Sequence, residues 1–165
     1  MDAGNKILKI WLENIEGIGE VRVDTSFAAF EGIFIRRLTK AMGCLKAGAD
    51  DDIKLELSYI AEWAVLKGIS RFESFLRTLP YTKTKSDKKP TFRRMIKRCV
   101  RKGSVTKEES IFVNEVYDIR NSIAHQLTTQ DTIGVDTPEM IDVFQWVQLL
   151  SIIVSRIDQQ RNTKQ

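Results

Sequence analysis

Along almost the whole chain apolar residues recur at intervals of three and four. A two-residue alternation is confined to "EVRVDT", where only Val21 and Val23 alternate with charges. The first spacing is that of an amphipathic helix, and two alternating valines are too few to build a sheet, so the fold class expected is all-α. The 165 residues are enough for one domain to bury a core without disulfides or metal, and 42% hydrophobic with 29% charged residues excludes wholesale disorder.

The helices can be delimited by their caps. A first short one, Asn5 to about Glu16, places Ile7, Leu8, Trp11, Leu12 and Ile15 on one face before Gly17 and Gly19 end it. A second starts at Thr25 or Ser26 and runs to about Ala47, where "AGADD" punctuates the chain. A third opens at Asp51 or Asp52, whose carboxylates suit a helix N-terminus, and continues to Pro80, with Gly68 as a point where it can bend. Tyr81 to Pro90 reads as a mobile surface loop. "TFRRMIKRCVRKG" then sets Phe92, Met95, Ile96, Cys99 and Val100 at helical spacing. Thr106 and Glu109 form a capping box for a helix from Lys107 to about His125 or Gln126. A last helix, apolar nearly all round, opens with Thr137 as N-cap and Pro138 at N1. "AAFEGIFIRRL" and "ISRFESFLRTL" look alike, which two amphipathic helices packing alike explain without a repeat.

Several functions are disfavoured. "MIDVFQWVQLLSIIVSRI" is interrupted by Asp142, Gln145, Gln148, Ser151 and Ser155, and falls short of the roughly 20 apolar residues that span a bilayer. No N-terminal stretch has the make-up of an export signal, and Cys44 and Cys99 read as buried, reduced thiols, so a cytoplasmic location is expected. There is no zinc spacing, Gly-rich phosphate loop or GxSxG, so no metal and no cofactor is expected. The net charge of +4 is unevenly spread. Between Tyr81 and Lys102 ten Lys or Arg face one acid, Asp87, which leaves the remainder at −5. Lys88, Lys89, Arg93, Arg94, Lys97, Arg98 and Arg101 are therefore candidate nucleic-acid contacts, able to attract phosphates irrespective of sequence. Tyr81, in the loop, is the freer aromatic for stacking on a base; Phe92 reads as core.

The only histidine, His125, lies in "VYDIRNSIAHQ". On a helical wheel with Arg120 at zero, Phe112, Val116, Ile119 and Ile123 fall between about 260° and 320° and form the buried face. Asn114, Asp118, Asn121 and His125 fall between about 100° and 160°, with Arg120 and Tyr117 flanking. Asn121 and His125 are i, i+4 neighbours, close enough for the amide to orient the imidazole. A histidine and an arginine near a helix C-terminus also suit the dipole without any catalytic role.

"DIRNSIAH" resembles the Arg-x4-to-6-His signature of the HEPN (higher eukaryotes and prokaryotes nucleotide-binding) superfamily, with Arg120, then polar Asn121, then His125. The context is similar too: "IKRCVRKGSVTKEESIFVNEVYDIRN" has the short helix, glycine turn and capped helix that lead into this motif. The resemblance spans roughly residues 51–162. It implies an up-and-down helical bundle over 51–162, within a single domain in which residues 1–50 form an N-terminal helical extension and 81–90 a basic loop. It further implies a homodimer whose two motifs face one cleft and cleave RNA without metal. His125 would act as general acid or base for attack by the 2′-hydroxyl, Arg120 would stabilise the phosphorane, and Asn121 would hold the imidazole or the phosphate. Glu73 would position Arg120, with Glu31 as competitor. Many toxin members have a tyrosine two residues beyond the histidine, whereas this chain has Leu127. The expectation is an endoribonuclease of a toxin-antitoxin or phage-defence system, with RNA and a possible antitoxin or defence-system protein as partners. The alternative is a noncatalytic, repressor-like module that binds nucleic acid or protein through the basic helix.

Overall fold

The computed structural model describes residues 25–46, 50–129 and 139–163, and these are helical throughout apart from short connections. Four long helices, α1 (Thr25–Lys46), α2 (Asp50–Thr78), α4 (Lys107–Thr129) and α5 (Met140–Asn162), are joined by a short α3 (Phe92–Arg101) and a single 3-10 turn, Pro80–Thr82. The all-α expectation holds. The expected helix at residues 5–16 and the Thr137–Pro138 cap lie outside the described residues; α5 is seen from Met140, with Glu139 as its N-cap.

Contacts between the helices give their directions. Phe27 meets Phe72 and Phe30 meets Trp63, so α1 and α2 run antiparallel. Glu109 near the start of α4 pairs with Arg156 near the end of α5, so these two are antiparallel as well. Arg161 lies over Phe75, while Val143 and Val147 lie beside Ala64, Val65 and Ile69, which sets α5 parallel to α2. The long helices therefore alternate up and down around one core. Phe27, Phe30, Phe34 and Leu38 of α1 belong to that core, and Glu31 accepts a hydrogen bond from Ser151 of α5 at 2.6 Å. Residues 25–46 thus pack as a wall of the bundle.

Gly68 is where α1 and α2 come closest. The α2 helix continues through it, and a Cβ there would stand 2.9 Å from the Phe30 ring, so the glycine serves packing and not a bend. The α3 helix buries Phe92, Met95, Ile96 and Cys99, and Phe92 stacks flat on Tyr117 of α4 with ring centroids 4.2 Å apart. It ends in a Schellman turn: Gly103 takes a φ of 71°, Gly103 N–H donates to Val100 O, and Ser104 N–H to Cys99 O. Cys99 is free and fully buried, and burial pushes its thiol up to about 11, consistent with an inert packing residue. No helix among the described residues is long and apolar enough to cross a membrane.

Candidate functional site

The capping box anticipated at the start of α4 is formed. Thr106 N–H donates to Glu109 Oε2 at 2.9 Å, and Glu109 N–H donates to Thr106 Oγ1 at 3.1 Å. Glu109 has a second task, accepting both Arg156 guanidinium nitrogens at 2.7 and 2.8 Å. That pair holds the Glu109 carboxyl below its usual range and raises Arg156, in each case chiefly through the hydrogen bonds between them. The N-terminal half of α4 is thereby locked to α5 and aims the other half.

Arg120, Asn121 and His125 lie in that other half. The wheel put Arg120 beside the polar stripe, but Val113, about 20° from it, is fully buried, as are Val116 and Ile123 nearly. Arg120 accordingly sits at the border of the core. Its Nη1 donates to Asn121 Oδ1 at 2.9 Å, while its Nε is enclosed with no hydrogen-bond partner among the described residues. His125 is exposed one turn beyond the half-buried Asn121. A cation at the core edge, an amide fixed by it and an exposed imidazole share one end of the helix.

Neither proposed supporting carboxylate reaches Arg120. Glu73 accepts from Arg77 at 2.6 Å on its own helix, and Arg77 also donates to Pro90 O at 3.3 Å. This i, i+4 pair ties the end of α2 to the chain entering α3. Glu31 is buried on α1 and engaged by Ser151. An i, i+4 arginine was the competing partner that the Phe-Glu comparison overlooked.

The basic segment divides into structural and exposed cations. Arg98 is a strut: its guanidinium donates to Thr82 O and, at 2.8 Å, to Asp87 Oδ2. Arg94 also lies 3.5 Å from Asp87. The stretch expected to be a mobile loop is in fact held, because Thr82 is fully buried with its hydroxyl 2.8 Å from Leu76 O and Leu79 O, and Thr84 and Asp87 exchange backbone hydrogen bonds. Tyr81 is fixed in place and is not a mobile loop aromatic. It is half-buried and its hydroxyl meets Ser104 Oγ at 3.0 Å. Phe92, as expected, is core. Lys88, Lys89, Lys97 and Arg101 are exposed and have no ion-pair partner among the described residues.

Arg93 links the two candidate regions. It grips Asp118 with Nη2 at 2.6 and 2.8 Å, and Asp118 precedes Asn121 by one turn on the polar stripe of α4. The N-terminus of α3 therefore lies beside the Arg120–His125 end, a neighbourhood that sequence spacing did not reveal. The available signal is compositional: α3 holds no acid, and Asp118 is an acid on the polar stripe of the helix that follows it.

Among the described residues no group of three or more His, Cys, Asp or Glu is placed to hold a metal ion. No family model, curated protein or solved structure matches the chain.

Proposed function

We propose that this protein is an endoribonuclease of HEPN type that works as a cytoplasmic homodimer without a metal. The observation that carries the reading is Arg120: its guanidinium is held by Asn121, and its Nε is buried without an acceptor among the described residues, at the helix end that exposes His125. A guanidinium with Nη donors left over, on the same helix end as an exposed imidazole, suits a transition state in which negative charge builds on phosphate oxygens.

In the reaction a base removes the proton of a ribose 2′-hydroxyl, whose oxygen attacks the adjacent phosphorus. The bond to the 5′-oxygen breaks, that oxygen takes a proton from an acid, and a 2′,3′-cyclic phosphate remains. One His125 serves as base and the His125 of a second copy as acid, since the chain has a single histidine and the chemistry needs both. Arg120 stabilises the phosphorane, and the Asn121 amide nitrogen, whose carbonyl oxygen is already engaged, donates to phosphate or imidazole. Arg93, Lys97 and Arg101 on α3 draw the RNA backbone towards the motif. A role in a toxin-antitoxin or phage-defence system fits such an activity, with an antitoxin or defence-system protein restraining it.

The test is cleavage of total RNA in excess chelator by the wild type, Arg120→Ala and His125→Ala. Each substitution is expected to lower the rate by roughly 10²-fold or more, with cyclic-phosphate ends on the wild-type products. Equal products from all three proteins, or none from folded wild type, would falsify the reading. RNA binding retained without cleavage would then favour the noncatalytic alternative, for which the exposed cations of α3 are the supporting feature.

A further inference from the structure

At the other end of α4 from His125, about 27 Å along the helix at 1.5 Å per residue, lies a cavity of about 420 Å³. It is lined by Pro80, Tyr81, Lys102, Ser104, Ile157, Gln160 and Arg161. That volume is within the range of small-molecule sites. Three separate pieces of chain meet there: the 3-10 turn, the Gly103 turn and the last turns of α5.

The hydrogen-bond directions show what the cavity offers. Ser104 Oγ donates to Gln160 Oε1 at 3.2 Å, so the bond between Tyr81 and Ser104 takes its proton from Tyr81. Both hydroxyl protons and the amide oxygen are then used within this chain of groups. What remains to face a ligand is a set of donors: the Gln160 amide nitrogen, the Lys102 ammonium and Arg161. Burial raises the Tyr81 phenol further above neutrality, which keeps it a donor to Ser104.

The charges set the ligand's own charge. Arg161 is held in place, with Nη2 donating to Thr78 O at 3.3 Å and Thr78 Oγ1 at 3.2 Å, and with its guanidinium carbon 5.7 Å from the Phe75 ring centroid. Buried Asp158 stands behind it at 3.8 Å and offsets its charge, while Asp158 Oδ2 has no hydrogen-bond partner among the described residues. Lys102 has no ion-pair partner among them. One net positive charge therefore faces the cavity, beside an apolar wall of Pro80, the Tyr81 ring and Ile157.

We infer that this cavity is a binding site for a small aromatic monocarboxylate, its ring against Pro80, Tyr81 and Ile157 and its carboxylate taken by Lys102 and the Gln160 amide. A single charge matches the cavity, whereas a phosphate monoester or a triphosphate brings more negative charge than the wall offsets. Occupancy would join the 3-10 turn, the α3–α4 turn and α5, so the ligand acts on the rigidity of the bundle at a distance from the Arg120–His125 end.

The full-length protein can be titrated by calorimetry with indole-3-acetate and 2-naphthoate, and in parallel with indole-3-acetamide, AMP, ATP and inorganic phosphate. Saturable carboxylate binding is expected, at least tenfold tighter than the matched amide. Lys102→Met and Gln160→Leu, both at exposed positions, should each weaken it fivefold or more, and Arg120→Ala should leave it unchanged. Four results would overturn the inference: no saturable binding to folded protein at millimolar carboxylate; equal affinity for acid and amide; tighter binding of AMP, ATP or phosphate; or binding lost with Arg120→Ala but kept with Lys102→Met. None of these bears on RNA cleavage, so the two readings fail separately.

Discussion

Two arginines beside α4 are in opposite states. Arg156 makes a two-pronged pair with Glu109, which is itself part of the α4 capping box, so both partners are committed within the fold. Arg120 has one bond, to its neighbour Asn121, and a buried Nε with no acceptor among the described residues. An enclosed donor without a partner costs free energy. The two ends of α4 thus differ in how fully the fold satisfies their arginines.

The largest effect should come from breaking the satisfied end. Arg156→Met leaves a partly buried Glu109 carboxylate without its main partner and is expected to destabilise by about 2 kcal/mol, read by urea unfolding. Because the folded Glu109 pKa is lowered, its contribution is present above the unfolded carboxylate pKa and is lost as pH falls through the folded value. The wild type should therefore lose stability on acidification more steeply than Glu109→Gln, as unfolding midpoints between pH 6 and pH 3 would show. Gly68→Ala forces a methyl against the enclosed Phe30 ring, an overpacking cost of about 1–3 kcal/mol offset by about 1 kcal/mol of helix propensity, so the net loss should stay below that of Arg156→Met, without altering RNA chemistry.

At the other arginine the sign should change. Arg120→Met removes the unsatisfied donor while keeping most of the aliphatic stem, so stability is expected to stay level or rise by up to about 1 kcal/mol while cleavage is lost. A loss as large as that of Arg156→Met would erase the contrast. The smallest effect on stability belongs to Arg93→Ala, whose pair with Asp118 is more than half exposed and should contribute under about 1 kcal/mol. Its mark would instead be on RNA: a salt dependence of binding shallower by about 0.7 in log–log slope on single-stranded RNA.

What could be read from the sequence followed the range of the interactions. Periodicity and caps are local, so the all-α class, the Thr106–Glu109 box, the Gly103 turn and the buried face of α3 were legible. Side-chain partners across helices are not local, and there the reading failed: Glu73 closes on Arg77, Arg98 braces Thr82 and Asp87, and Tyr81 is tied to Ser104. Arg120 shows how narrow the margin is. Including Val113 in the apolar face moves the arginine from the outer stripe to the core edge, and this border position is what encloses its Nε. The approach of Arg93 to the motif required the packing of α3 on α4 through Phe92 and Tyr117, which no spacing rule supplies.

The central claim is that one histidine per chain becomes two at a composite site, and subunit mixing tests it most directly. Wild type and His125→Ala, each folded and allowed to exchange subunits, are combined at constant total protein while RNA cleavage is measured in chelator. If both copies of His125 act in one cleft, activity follows the square of the wild-type fraction, so an equal mixture retains about one quarter of the rate. Activity in simple proportion to wild type, with one half remaining in the equal mixture, would contradict it.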